Sequence, residues 1–69
     1  MTLKDLLTKI PDETEIVIYD FAEGDYVGVF HGALRELPWL RIHSILNAPV
    51  KEIDPKNTFL AIACDGSSY

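Results

Sequence analysis

Glu15-Ile16-Val17-Ile18-Tyr19-Asp20-Phe21 decides how the rest of the chain must be arranged. Three β-branched residues and two aromatics in seven positions suit a pleated, mostly buried surface, so the run reads as a β-strand. Side chains alternate along a strand, which sends Ile16 and Ile18 to one side and Val17, Tyr19 and Phe21 to the other. Neither side is polar enough to belong plainly to solvent. A central strand is therefore expected, with a helix layer on one face and a partner on the other.

Immediately upstream, Leu3, Leu6, Leu7 and Ile10 fall at i, i+3, i+4 and i+7, one stripe of a short helix. Thr2 and Asp5 supply a capping-box-like start, and Pro11 ends the stripe. Pro11-Asp12-Glu13-Thr14 reads as the turn into the strand. Downstream, Ala22-Glu23-Gly24-Asp25 offers a hairpin connection, with Gly24 available for a positive φ. The second strand follows as Tyr26–Leu34. Strict alternation puts Tyr26, Gly28, Phe30 and Gly32 on one face, and two glycines there suggest a bend or a close backbone approach.

Pro38 suits the first turn of a helix, and Trp39, Ile42, Ile45 and Leu46 give a second amphipathic stripe that Asn47-Ala48-Pro49 stops. Val50-Lys51-Glu52-Ile53 is a brief extended piece with Val50 and Ile53 inward. The turn Asp54-Pro55-Lys56-Asn57 leads to a last strand, Thr58–Cys64, apolar on both faces. Asp65–Tyr69 reads as a polar, frayed tail. The expectation is one α+β domain over residues 1–69, in the order α-β-β-α-(β)-β. It has an antiparallel sheet of three main strands plus one short strand, with two short helices on one face.

Several of these residues together resemble a loose group of small uncharacterised proteins of phages, prophages and bacterial mobile elements. They are Leu3-Lys4-Asp5-Leu6-Leu7, Glu15–Asp20, Gly32, the Glu36-Leu37-Pro38 step, and Val50-Lys51-Glu52-Ile53 before a final apolar strand. That group has no catalytic signature to transfer. The resemblance implies a context of accessory proteins, some of which bind and block the defence or replication machinery of a host cell.

Composition bounds the function from another side. At 69 residues the chain is near the lower end of what folds unaided, and 48% of it is hydrophobic. So apolar a small domain is expected to cover a partner or another copy of itself with part of the surplus. Six basic residues stand scattered against eleven acidic ones, net −5, which argues against a nucleic-acid backbone as partner. A single cysteine, Cys64, permits no intramolecular disulfide and no thiolate zinc site, and with no signal-peptide pattern it favours the cytoplasm. No stretch approaches the length of a membrane span.

Candidate chemistry is sparse. His31 and His43 with Asp20 or Asp65 lack metal-ligand spacing, so no metal or cofactor is expected. Cys64 with a histidine could be imagined as nucleophile and base, but a small inert thiol at the end of an apolar strand is the commoner case. Gly24, Gly28 and Gly32 open no helix and cradle no phosphate. Asp12, Glu13, Glu15, Asp20, Glu23 and Asp25 could imitate a nucleic-acid backbone; as turn and edge residues they would simply keep an apolar domain soluble. No enzyme is expected. The candidate partner-binding residues are Tyr19, Phe21, Tyr26 and Phe30, on a sheet face left bare if both helices pack opposite, and Trp39. A host protein, the protein itself, or both are the expected partners. The alternative is a homo-oligomer sequestering a small, nucleotide-like ligand.

Overall fold

The computed structural model describes residues 1–66, apart from the side chain of Ala22. The chain forms helix α1 (Leu3–Leu7) and strands β1 (Glu15–Ala22), β2 (Asp25–Ala33), β3 (Val50–Pro55) and β4 (Leu60–Cys64), with 3-10 turns at Leu34–Glu36 and His43–Ile45. All four strands join one sheet in the order β2-β1-β4-β3. Two antiparallel hairpins, β1–β2 and β3–β4, lie side by side and are fused by parallel pairing of β1 with β4. The sheet is therefore mixed, with four strands, not three antiparallel strands and a short extra. β3 is a full edge strand. β4 lies inside the sheet, between β1 and β3.

The core lies on one face only. Ile16 and Ile18 of β1 pair in register with Leu60 and Ile62 of β4, and the two isoleucines of β1 and Ile62 are fully buried. Leu3 and Leu7 of α1, then Leu34, Leu37, Ile42, Leu46 and Ala48, cover this face. Burying such side chains stabilises by about 1.5–3 kcal/mol each before entropy is counted. α1 is shorter than its stripe, with Thr8 as its C-cap, and both hydrogen bonds of the Thr2–Asp5 capping box form. The backbone and hydroxyl of Thr2 hold the Asp5 carboxyl below its usual range. The N-terminus is tied across to the entry of β3: Leu3 N–H donates to the Ala48 carbonyl and Val50 N–H to that of Met1.

The second helix expected from the Trp39–Leu46 stripe is not an α-helix. After one i→i−4 bond from Ile42 N–H to the Pro38 carbonyl, the chain continues by i→i−3 bonds from Ile45, Leu46 and Ala48. Ile42, Ile45, His43, Ser44 and Asn47 are mediocre helix formers, and ten residues closed by Pro49 are too few to compensate. The stripe still buries Ile42 and Leu46, and Ile45 packs against the core.

The β1–β2 turn is formed by Glu23 and Gly24, both at positive φ (54° and 81°), as a two-residue hairpin of type I′ requires. Part of the expected tail is anchored. Asp65 N–H donates to the Pro49 carbonyl, and Gly66 N–H donates to Asp20 Oδ1 at 2.9 Å. The rest of the expected tail, residues 67–69, lies outside the described residues.

Candidate functional site

The other sheet face carries no helix. Parallel pairing sets Tyr19 beside Ala63 and Val17 beside Ala61, while β3 sets Glu52 beside Ala63 and Asp54 beside Ala61. Two alanines between larger neighbours make a trough along β4. The result is a shallow groove of about 320 Å³, floored by Ala61 and Ala63 and reached by Tyr19, Tyr26 and Phe59. Glu52, Asp54, Lys56 and Ile62 complete its lining. The tight turn joining β3 to β4, in which Lys56 N–H donates to the Phe59 carbonyl, places the last aromatic and the lysine.

Phe21 lies beside this groove, packed on both sides. Its ring meets Tyr26 at 5.0 Å between centroids, tilted by 59°, and the Lys51 ammonium stands 4.6 Å from the ring centre. Of Tyr19, Phe21 and Tyr26, only Tyr26 is exposed, at 44%, and the other two are half-buried. At the far end of the face His31 lies 3.8 Å from the Glu15 carboxylate and 6.4 Å from the Phe59 ring centre. Both side chains are open to water, so the contact contributes little.

Phe30 does not join this face. The β1–β2 register shifts between Ile18 and Tyr19: Phe30 pairs with Ile18, but Gly28 pairs with Tyr19. Val29 is the extra residue of a β-bulge, and the bulge reverses the alternation along β2. Tyr26 consequently shares a face with Phe21 and Tyr19, whereas Phe30 turns inward against the core. Trp39 is also elsewhere: it sits in the Pro38–Ile42 turns with Leu40 (91% exposed) and does not line the groove. The residues that sequence reasoning missed are Ala61, Ala63, Phe59, Glu52, Asp54 and Lys56. Their signal was the small–large alternation of β4 and the charge on β3, readable only once the two strands are neighbours.

On the core side, the Cys64 thiol donates to Asp20 Oδ1 over 4.0 Å and is buried. Burial first, and the Asp20 carboxylate second, push its pKa up to about 11. A nucleophile needs the opposite shift. Iodoacetamide at pH 8 is therefore expected to label native Cys64 about a hundredfold more slowly than the unfolded chain, the ratio that two pKa units give; equal rates would show the thiol to be open. The raised value also has a sign for stability. The contribution is complete below pH 9.0, the unfolded thiol's pKa, and is lost as pH rises through about 11.

Among the described residues no group of three or more His, Cys, Asp or Glu could hold a metal, and no helix is long and apolar enough to cross a membrane. No protein-family model, curated protein or solved structure matches this chain.

Proposed function

We propose that this domain is a non-enzymatic protein-binding module whose docking surface is the helix-free face of its sheet. One observation carries the reading: every element outside the sheet that contributes to the core packs on the same side, and the opposite side presents an aromatic and alanine groove. Tyr26 is the natural anchor, since a half-exposed tyrosine brings apolar area at low entropic cost. The likeness to phage and mobile-element accessory proteins points to a host-cell protein as the target, which binding would inhibit.

Capture from bacterial lysate on immobilised protein tests the assignment of the face. A partner retained by the wild type is expected to be lost with Tyr26→Arg and kept with Trp39→Ala, because Trp39 lies outside the groove. The reverse pattern would move the interface to the Pro38–Ile42 turns and end this reading. A second reading, a small-ligand site, is favoured by the groove's volume, which reaches the lower bound of about 300 Å³ for such sites. Glu52 and Asp54 make that site poor for phosphate groups. The small-ligand reading predicts release of a low-molecular-weight compound when the purified protein is heat-denatured.

A further inference from the structure

We propose that the groove receives a cationic side chain, a lysine or arginine carried between apolar residues on an extended segment of the partner protein. This rests on the docking reading above and adds the chemistry of the partner. The charges around the groove point that way. Glu52 and Asp54 line it from β3, against a single lining lysine, Lys56. The chain as a whole carries −5, so a second copy is repelled while a basic segment is drawn in.

The chain itself shows how an ammonium group rests on this face. Lys56 Nζ lies 2.7 Å from Asp54 Oδ2, and that hydrogen bond raises the lysine's pKa, with Glu52 and Tyr19 near enough to add to the effect. Lys51 Nζ stands over the Phe21 ring. One cation is held by a carboxylate and the other by a ring, two supports that favour an ammonium or guanidinium group. Both members of the Lys56–Asp54 pair are about half exposed (49% and 50%), and such pairs add little stability. An arriving cation therefore displaces Lys56 at small cost, while Ala61 and Ala63 leave room for its aliphatic stem.

The test is an NMR titration of protein labelled at the alanine methyls, at low salt. The probes are capped hexapeptides alternating leucine with lysine, with glutamine or with glutamate. The Ala61 and Ala63 methyls are expected to shift with the lysine peptide alone. Glu52→Gln combined with Asp54→Asn should weaken that binding about fivefold, and Lys56→Met should tighten it about twofold or more. Asp12→Asn with Glu13→Gln, outside the groove, should leave it unchanged.

Equal binding of the glutamine peptide at the same methyls would overturn the cationic partner while keeping the docking face. No shift with any probe would remove both. Equal weakening by the Asp12 and Glu13 changes would reduce the effect to net charge and overturn the site. So would the same shifts from spermidine alone. Shifts that follow protein concentration without peptide would make a second copy the occupant and overturn the proposal.

Discussion

Ile18→Ala is expected to remove about 2–5 kcal/mol of folding free energy, the range for truncating a large aliphatic side chain in a core that cannot collapse around the gap. A chain of this length has a total stability of roughly 3–10 kcal/mol at about 0.05–0.15 kcal/mol per residue, so the variant should lose a large share of it and unfold at a markedly lower urea concentration. Ile18 is fully buried, with Phe30 opposite it on β2 and Ile62 beside it on β4, and each of those side chains loses contact at once. The comparison that gives the result its meaning is Val17→Ala, one residue away. Val17 is half-buried on the helix-free face, where its truncation should cost under about 1 kcal/mol. Urea unfolding followed by far-UV circular dichroism measures both. Similar losses at the two positions would mean that both sheet faces are enclosed, and the open docking face would disappear with that result.

How much of this arrangement could be read in advance depended on whether a feature was local. The capping box at Thr2, the leucine stripe of α1, the alternation of β1 and the positive φ at Gly24 are all set within a few residues, and the structure has each of them. Pairing is not local. In the sequence Val50-Lys51-Glu52-Ile53 reads as a brief extended piece and Asp54-Pro55 as part of a turn. The strand instead runs through Pro55 and carries Lys51, Glu52 and Asp54, residues that strands avoid. At a sheet edge those same charges are fitting, because they discourage pairing with another chain. The apolar continuity of Leu60–Cys64 was visible, but it could equally have meant a strand covered on two faces; only the register with β1 shows that it is parallel and central. For Trp39–Leu46 the buried positions were legible and the hydrogen bonding was not, because a spacing of three or four residues serves a 3-10 turn as well as an α-helix.

The groove was half legible for the same reason. Tyr19, Phe21 and Tyr26 were placed on the open face by alternation along β1 and across the hairpin. Phe30 was misplaced because alternation assumes that no residue is inserted between the paired positions. Gly28 beside Val29 marks where the bulge occurs, but a glycine in a strand signals several things, and nothing in the sequence chooses among them. The inward turn of Phe30 narrows the aromatic patch, and it also gives the core an aromatic on the β2 side that it would otherwise lack.

That placement of Phe30 carries the second large prediction, which concerns Gly32. Its φ of 156° lies in a region nearly closed to residues with a Cβ, and a Cβ built there would stand 3.2 Å from Phe30 Cζ. Gly32→Ala must therefore strain the backbone or displace the ring, and the expected cost is about 1–3 kcal/mol. Gly28→Ala is the control on the same strand. Nothing lies within 4 Å of its Cβ position and its backbone is ordinary, so alanine should be neutral there or stabilising by up to about 1 kcal/mol through the unfolded state. The two substitutions change the same atoms four residues apart, and Gly32→Ala should be the more costly by at least about 1 kcal/mol. Thermal unfolding gives the difference directly, and the near-ultraviolet signal of the aromatics reports whether Phe30 has left its seat. If Gly32→Ala proved no more costly than Gly28→Ala, the ring would not be held beneath Gly32. The bulge would then have no reason to send Phe30 inward, and the open face would regain the fourth aromatic that simple alternation assigns to it.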